Sequence, residues 1–466
     1  MKILLVWPAQ RQSIASPFMK RIQRSLGFLP PLGVLSLASW IKEKTSHSVS
    51  VLDAYRAQMP HEDVLEEIKR LNPGAVGISA VTHAWPDVLE LARLIKEYDS
   101  SIIIIVGGPH CTLFSLESLE HENIDYAVSG EGEIPFSLLL DRLESGRRDT
   151  EGIPSVMRRG DARKANFIFE NLDELPVADR SLTDWKSYCS VVSRRPPTTA
   201  IMSSRGCPFA CNFCNTAGGK RFRTFSSERI LREIEHCLNL GISEFFFFDE
   251  HFACRRERVM EFCRAVKSRG WDISWDIRAR VDSVDEDMLK EMASAGCSRI
   301  QYGIEAGTQR VLDILNKKIT VSQAQEAVRL TKKAGISCYA DFMIGAPGEK
   351  VEEMLETIEF ARHLPLDYVH FSVLMLLPGT PFYKKALHEG VLADDVWTEF
   401  VRHPYEGFAP PYWEKELSKA ELDKMLSAAM RKVCFSPGFI IRRLKSISSW
   451  GMLCRQAKAG LALLKH

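Results

Sequence analysis

Short apolar segments alternate with amphipathic segments along most of this 466-residue chain, in two separate series. Residues 102–106 read Ile-Ile-Ile-Ile-Val, and such a continuous β-branched run is typical of a strand that is buried on both faces. Buried strands that alternate with helices form a parallel sheet covered by helices. The sequence therefore predicts an α/β protein.

The first series, up to about residue 145, predicts an open doubly wound, Rossmann-like sheet. The predicted strands are 2–7, 48–53, 75–80, 102–106 and 125–128, and the predicted helices are 32–44, 61–71, 86–98 and 134–145. A ligand of such a sheet lies at the carboxyl ends of the strands. Glycines occur there at 107, 108, 130 and 132, and they serve either a ligand that needs close backbone approach or an ordinary tight turn. No G-x-G-x-x-G follows the first strand, so a dinucleotide is not favoured.

The second series predicts a partial (β/α)6 barrel, in which chemistry sits at the carboxyl ends of the strands. Its predicted strands are 199–204, 244–248, 273–277, 298–303, 337–343 and 369–375. We therefore predict four parts: a first domain over 1–145, a solvated connector over 146–195, the barrel domain over 196–390 and a helical region over 391–466.

Charge and hydropathy exclude several classes of protein. The chain carries 61 Lys and Arg against 60 Asp and Glu, a balance that gives no support to a nucleic-acid partner. No apolar run approaches the ~18–20 residues that a membrane span needs, and the N-terminal apolar stretch is too short for a signal peptide. We expect a cytoplasmic protein, in which the clustering of some of its 12 cysteines indicates metal binding or catalysis.

Three cysteines form the most specific motif. Cys207, Cys211 and Cys214 follow the first barrel strand with the spacing C-x3-C-x2-C. Three thiolates on one loop can bind three irons of a [4Fe–4S] cluster and leave the fourth iron open. The alternative, zinc, usually needs four ligands in two spaced pairs, and the chain has no second pair. The cluster is the favoured interpretation.

With this motif the chain resembles the radical S-adenosylmethionine (SAM) enzymes over residues 199–390. In that family SAM chelates the open iron and is cleaved to a 5′-deoxyadenosyl radical that abstracts a hydrogen atom. The resemblance implies that the SAM-binding residues are Phe213, Asp249, Glu250, Arg278, Glu305 and Gly345. Asp249 and Glu250 stand where the family binds the amino group of SAM, Glu305 at the ribose or carboxylate contact and Gly345 behind the adenine.

A doubly wound domain ahead of such a barrel is similar to the cobalamin-binding class of this family. The implied cobalamin contacts are Pro31, Gly33, Ser79, Thr82, His83, Trp85, Gly107, Gly108, Pro109, Gly130, Glu131, Gly132 and Glu133. The chain departs from the D-x-H-x-x-G cobalamin motif, because no histidine follows Asp53 at the ligand position. His83 is either a ligand of the lower face or an ordinary turn histidine. Methylthiotransferases are excluded, because Cys111 is the only cysteine before residue 150 and cannot hold a second cluster.

The resemblance implies an enzyme that uses a [4Fe–4S] cluster, SAM and cobalamin, most readily to transfer a methyl group to an unactivated carbon. Two alternatives stay open: a cyclase or ring-rearranging enzyme with the same cofactors, and a non-enzymatic cobalamin or iron–sulfur sensor. The expected partners are a small-molecule or lipid substrate and a flavodoxin- or ferredoxin-like electron donor. The basic tail over 439–466 could contact a membrane surface, but a helix packed on the barrel with a solvated basic face is favoured.

Overall fold

The computed structural model describes residues 1–14, 27–215, 218–445, 447 and 450–456. Its strands are β1 Lys2–Trp7, β2 Gly27–Phe28, β3 Ser48–Asp53, β4 Ala75–Ser79, β5 Ile103–Gly107, β6 Tyr126–Val128, β7 Val156–Arg158, β8 Cys189–Ser190, β9 Thr198–Ile201, β10 Ser204–Arg205, β11 Arg223–Thr224, β12 Glu244–Phe247, β13 Ser274–Ala279, β14 Cys297–Glu305, β15 Ser337–Ile344 and β16 Tyr368–Val373.

The helices, numbered in the same way, are α1 Leu32–Lys44, α2 Ala54–Ala57, α3 His61–Leu71, α4 Trp85–Tyr98, α5 Pro109–Ser118, α6 Glu133–Glu144, α7 Ser227–Asn239, α8 Arg256–Ser268, α9 Glu286–Ser294, α10 Gln309–Ile314, α11 Val321–Lys333, α12 Val351–His363, α13 Pro381–His388, α14 Val396–Arg402, α15 Lys419–Cys434 and α16 Pro437–Lys445. Among the described residues, none of the helices has the length and apolar character to cross a membrane.

The chain divides into two compact units. The first is Met1–Ser190 with Asp395–Ala409, and the second is Val191–Asp394 with Pro410–His466.

The first unit is built on a six-stranded sheet with the order β3-β1-β4-β5-β6-β7. The pairs from β3 to β6 are parallel, and β7 is antiparallel to β6. The predicted doubly wound sheet is therefore confirmed, with each of its five strands within one residue of the predicted bounds. Apolar side chains of α1 and α6, including Val34, Phe136 and Leu140, pack on one face of the sheet with Ile105.

The expectation of a solvated connector differs from the structure. In this segment β7 adds to the sheet, and the side chains of Val156 and Met157 are fully buried. Near its end, β8 pairs with β2, and the hydroxyl of Tyr188 donates a hydrogen bond of 2.6 Å to the Asp53 carboxylate. The sequence did not indicate these elements, because strands of two or three residues give no periodicity. The expected helical region is also divided, since α14 lies in the first unit.

The second unit contains six parallel strands in chain order, β9-β12-β13-β14-β15-β16, which confirms the six-unit barrel sheet. In β15, Ala340 and Phe342 are buried on one face, whereas Tyr339, Asp341 and Met343 on the other face are partly exposed. The α15 helix packs on β16 and α12. There Leu422 joins a small apolar core with Ile344 and Met354.

Candidate active site

The three cysteines lie on a loop that a short hairpin closes. The hairpin pairs β10 with β11 on the two sides of this loop. Gly206 has a φ of +83°, and a side chain there would place its Cβ 2.2 Å from the Arg221 carbonyl oxygen. A Cβ on Gly218 would lie 2.5 Å from the Gly206 nitrogen. Glycine at both positions therefore lets the two sides of the loop approach each other, and the Cys207 amide donates to the Gly219 carbonyl at 3.0 Å.

Asparagine side chains hold the far side of the cysteine loop. The Asn212 amide side chain donates to the Ile314 carbonyl at 2.8 Å, and its backbone amide donates to the Leu315 carbonyl at 3.0 Å. In return, Asn316 donates to the Ala210 carbonyl at 2.6 Å. The loop is thus fixed by the segment that follows α10, which the sequence did not associate with the cysteines.

The thiols of the loop are close enough to influence one another. Burial raises the pKa of Cys214 to about 11, and repulsion from Cys211 and Cys207 acts in the same direction. Burial also raises the pKa of Cys207. Bound cations would relieve this repulsion between thiolates. Among the described residues, no three His, Cys, Asp or Glu side chains converge on one metal ion.

The two predicted acceptors for the SAM amino group have different environments. Asp249 is completely buried, and its carboxylate accepts the backbone amides of Ser203 and Ser204 at 2.6 and 3.1 Å, and also the Ser203 hydroxyl. Arg258 lies 3.8 Å away. The expectation that Asp249 binds SAM does not fit this structure directly, because its oxygens are occupied by the protein and have no exposed surface.

Glu250 is the accessible member of this pair. Its side chain is exposed, and its charge acts on the pKa of Cys207 and of Cys214, which places it beside the cysteine loop. Although the residue keeps exposed surface, the surrounding protein partly removes water from its carboxylate and so raises the pKa of Glu250. The Gly218 amide and Lys220 oppose this rise. An accessible carboxylate at this position can accept hydrogen bonds from an ammonium group.

Glu305 belongs to a buried ion pair that the sequence did not indicate. Its carboxylate lies 2.6 Å from the Lys317 ammonium, and both side chains are less than one-tenth exposed. A Cβ on Gly303 would meet both groups, at 2.4 and 2.9 Å, so glycine makes room for the pair. The Lys317 ammonium also lies 5.8 Å from the centre of the Phe213 ring. Lys317 therefore lies beside both Phe213 and Glu305, which are two of the predicted SAM contacts.

Arg278 lies on the same side of the sheet as a group of polar side chains. Its guanidinium stands over the Phe248 ring at 4.4 Å, and burial lowers its pKa while Asp341 opposes this effect. Asp341 accepts a hydrogen bond of 2.7 Å from Gln301 and lies 3.3 Å from the His370 ring. The sequence indicated Arg278 but not the other three. Strand alternation could have found them, because all three are on the less buried face.

The space beside Gly345 is filled by the protein. Its φ is +84°, and a Cβ would lie 3.1 Å from a methyl group of Leu422 on α15. The Glu349 carboxylate accepts the backbone amides of Gly345 and Ala346 at 2.8 and 2.9 Å. Burial raises the pKa of Glu349 to about 7. This turn is therefore shaped by α15 and Glu349.

The glycines at the strand ends of the first unit are of two kinds. A Cβ on Gly108 would lie 2.9 Å from the Ala80 carbonyl oxygen, and one on Gly130 would lie 2.5 Å from the Phe167 carbonyl oxygen. By contrast, a Cβ on Gly107 or Gly132 would meet nothing closer than 3.8 Å, and one on Gly33 would meet nothing within 4 Å. At these last three positions the protein itself does not exclude a side chain.

The carboxylates near these glycines bind the protein itself. Glu131 accepts the Phe169 amide at 2.7 Å, and Glu133 is buried and accepts the Ser36 hydroxyl at 3.1 Å. Both carboxylates therefore fix the loop that follows β6.

Trp85, which was expected to contact cobalamin, is enclosed by the protein. Its side chain has no exposed surface, its ring stacks on His110 at 4.1 Å, and its Nε1 donates to the Val401 carbonyl at 3.0 Å. Because its ring is enclosed within the first unit, Trp85 cannot touch a ligand in this structure. Thr82 is partly exposed and its hydroxyl lies 3.1 Å from the His110 Nδ1, so it supports the same buried ring.

The remaining predicted contacts lie on neighbouring loops. His83 is partly exposed, and its Nε2 is 3.2 Å from the side-chain oxygen of Gln10. Burial lowers the pKa of His83. Ser79 ends β4 and Pro109 begins α5, whereas Pro31 is buried ahead of α1.

Each of the two units contains residues that match a known protein family. Residues 201–361 match the model of the radical SAM superfamily, and residues 21–140 match the model of the B12 binding domain. A protein of Pyrococcus horikoshii, described as an uncharacterized methyltransferase, is 32% identical over 99% of this chain and 98% of its own length. The chain belongs to the cobalamin-binding radical SAM family.

Two further similarities agree with this family. The anaerobic magnesium-protoporphyrin IX monomethyl ester cyclase of Cereibacter sphaeroides is 29% identical over 85% of this chain and 65% of that protein. The radical SAM methyltransferase TsrM of Kitasatospora setae, solved with cobalamin and a [4Fe–4S] cluster, has the same fold with a TM-score of 0.75. It is 18% identical, and the match covers 100% of this chain and 99% of TsrM.

Members of this family are enzymes with three cofactors, a [4Fe–4S] cluster, SAM and cobalamin, and the residues of this chain fit them. Each cysteine of such a cluster binds its own iron, and three thiols on one loop are one ligand short of the four that a structural zinc site uses, so this donor set suits a cluster better than zinc. Buried beside the loop, His251 has an Nδ1 atom without a hydrogen-bond partner among the described residues. At Gly107 and Gly132, which end or follow strands of the first unit, no protein atom requires glycine, so glycine there is compatible with the close approach of a large ligand.

Proposed function

We propose that this enzyme transfers a methyl group to an unactivated carbon of a small-molecule or lipid substrate. The observation that carries the proposal is the 32% identity to a methyltransferase over 99% of the chain, together with residues that fit all three cofactors. When bound, SAM and the cluster supply hydrogen-atom abstraction, and methylcobalamin supplies the methyl group.

The cysteine loop has the first role in this proposal. Cys207, Cys211 and Cys214 hold the cluster, and the hairpin with Gly206 and Gly218 closes the loop that carries the three thiols. A loop that the protein itself fixes does not have to be ordered by the cofactor, which lowers the cost of binding.

Charged side chains orient SAM. The exposed Glu250 carboxylate accepts the ammonium group of SAM. The Glu305–Lys317 pair presents the ribose contact, and Lys317 sets the position of the Phe213 ring. Arg278, stacked on Phe248, offers a guanidinium to a carboxylate.

The strand-end loops of the first unit hold cobalamin. The backbones of Gly107 and Gly132 lie against the cofactor, while Gly108, Gly130, Glu131 and Glu133 shape the loops. Residues 54–60 after β3 contain no histidine, so this loop offers no imidazole to the cofactor, and the Asp53 carboxylate accepts a hydrogen bond from Tyr188 instead.

A flavodoxin- or ferredoxin-like protein supplies the electron that reductive SAM cleavage requires. This partner follows from the electron balance of the cleavage, because none of the amino-acid side chains described above can deliver a low-potential electron.

Isotope labelling tests the proposed reaction. Cells that express the parent chain or a Cys211→Ala variant are fed methionine with a trideuterated methyl group, and their metabolites are compared. We expect a product in the parent alone that carries three deuterium atoms. Purified enzyme should then form S-adenosylhomocysteine together with 5′-deoxyadenosine.

A cyclase or ring-rearranging enzyme, the alternative suggested by the magnesium-protoporphyrin relative, gives a different result. It would form 5′-deoxyadenosine without S-adenosylhomocysteine, and its product would gain no label. That outcome would overturn methyl transfer while leaving the cofactor assignments intact.

A further inference from the structure

The C-terminal segment has a charge that differs from the rest of the chain. Residues 424–466 contain nine Lys and Arg and no Asp or Glu, so the preceding 423 residues carry a net charge of −8. A basic segment on an acidic protein is attracted to an anionic surface that the rest of the protein avoids.

Three arginines of the C-terminal segment, two on α16 and one beyond it, contact the protein and do not form a solvated face. Arg442 donates from Nε to the Leu366 carbonyl at 2.9 Å. Arg443 stacks over the Tyr368 ring at 4.0 Å, and Arg455 donates to the Ser193 carbonyl. The favoured expectation was a helix packed on the barrel with a solvated basic face: the packing agrees with the structure, whereas the solvated face does not, because these guanidinium groups fasten the segment to the second unit. Residues 446, 448–449 and 457–466 of the predicted tail lie outside the described residues.

Apolar side chains take the outward positions instead. Among the described residues, the three most exposed large apolar side chains are Trp450 at 78%, Leu444 at 63% and Phe435 at 60%. Ile441 at 53% and Ile440 at 40% lie between them in the sequence. We call these five residues the apolar C-terminal patch. Five exposed large apolar side chains within residues 435–450 are unusual for a protein surface, and exposed apolar surface of this kind marks a binding site.

We propose that the apolar C-terminal patch inserts into the interface of an anionic lipid membrane. Aliphatic side chains and a tryptophan are the residues that enter the headgroup region, and adjacent basic residues such as Arg431 favour anionic lipid. A nucleic acid fits less well, because its phosphates need outward guanidinium groups, and Arg442, Arg443 and Arg455 are bound to the protein.

Sedimentation of the full-length protein with vesicles tests this surface. Vesicles of phosphatidylcholine with a third phosphatidylglycerol should pellet at least fivefold more protein than vesicles of phosphatidylcholine alone, and added salt should reduce the difference. An Ile441→Ser/Leu444→Ser/Trp450→Ser variant should lose binding at least tenfold. The matched control, Leu138→Ser/Ile168→Ser/Leu355→Ser, removes three exposed apolar side chains elsewhere and should bind like the parent.

Three results would overturn the proposal. In the first, the parent stays in the supernatant or the triple variant still pellets with the vesicles. In the second, the parent is a dimer in analytical ultracentrifugation and the triple variant a monomer, which would assign the patch to a second copy. In the third, only a chain truncated after residue 456 binds vesicles, which would assign the patch to the chain's own last residues.

Discussion

The glycines of the cysteine loop and those of the first unit's strand ends differ in what lies beside them. A Cβ on Gly206 or Gly218 would collide with backbone atoms of the loop itself, whereas a Cβ on Gly107 or Gly132 would make only ordinary contacts at 3.8 Å or more. The first pair therefore fixes a shape that exists before any cofactor binds. The second pair is not required by the fold, so we expect glycine there to affect the free energy of ligand binding and not the free energy of unfolding.

Glycines at neighbouring strand ends also differ from each other. Gly108 after β5 and Gly132 after β6 were both expected to contact a cofactor, yet a Cβ is accommodated only at Gly132, because its position on Gly108 is taken by the Ala80 carbonyl. A glycine in a ligand loop is thus not by itself a ligand contact. The following predictions test the two regions, beginning with the largest effect.

The largest effect is expected in the cysteine loop. Cys207→Ala, Cys211→Ala or Cys214→Ala each removes one of three donors, and a cluster bound by two thiolates is not retained. Anaerobically reconstituted parent should hold about four irons and cleave SAM, and each variant should do neither. Iron analysis and chromatography of 5′-deoxyadenosine measure both. Cys237→Ala, a buried cysteine on α7, should keep iron and cleavage; SAM cleavage by any loop variant would refute the assignment.

The second prediction separates Asp249 from Glu250. Asp249→Ala leaves the buried Arg258 without its counter-charge and two backbone amides without their acceptor, and we expect a loss of about 3–5 kcal/mol in the free energy of unfolding. Glu250→Gln should change stability by less than about 0.5 kcal/mol, because the side chain is exposed. It should instead weaken SAM binding to the reconstituted protein. Urea unfolding and equilibrium binding distinguish the two, and a stable Asp249→Ala variant with weak SAM binding would reverse the roles.

The third prediction concerns His110, whose buried ring belongs to the first turn of α5. Burial lowers the pKa of His110 to about 3, from 6.5 in an unfolded chain, so the folded state binds fewer protons than the unfolded state. Above pH 6.5 the ring is neutral in both states and does not lower the free energy of unfolding. As the pH falls from 6.5 toward 3 that free energy decreases, because only the unfolded state binds the proton. Between pH 7.5 and pH 5 the loss should be about 2 kcal/mol.

The control for His110 is a variant without a titrating ring. His110→Gln should be less stable at pH 7.5, and its loss of stability between pH 7.5 and pH 5 should be smaller than that of the parent. Urea unfolding at both pH values measures this difference. Equal losses in the two proteins would show that His110 is not held neutral in the first unit.

The smallest effect is expected from Gly132→Val. Its φ of −88° is allowed for valine, and the nearest atom to the new Cβ is 4.0 Å away. The variant should therefore fold normally, but bind cobalamin about tenfold more weakly, which corresponds to about 1.4 kcal/mol. Gly108→Val should instead destabilise the protein without cobalamin, because φ is +92° and the Cβ has no room. Cobalamin content and unfolding measurements compare the two, and unchanged cobalamin binding by Gly132→Val would place the cofactor elsewhere.

The sequence by itself determined both parallel sheets and the three cysteines. Continuous β-branched runs such as 102–106 have one stable environment, a strand covered on both faces, so the strand bounds could be predicted within a residue or two. The thiol spacing is equally local, because all three donors lie on one loop. A motif confined to eight residues needs no knowledge of what packs around it.

Only the tertiary structure decided which neighbouring residues are available to a ligand. Asp249 and Glu250 are adjacent in sequence, yet one is enclosed by Ser203, Ser204 and Arg258 while the other is exposed. The Lys317 partner of Glu305 comes from the segment after α10, and the Val401 carbonyl that holds Trp85 lies over 300 residues away. Burial depends on contacts between distant parts of the chain, and a local pattern does not contain them.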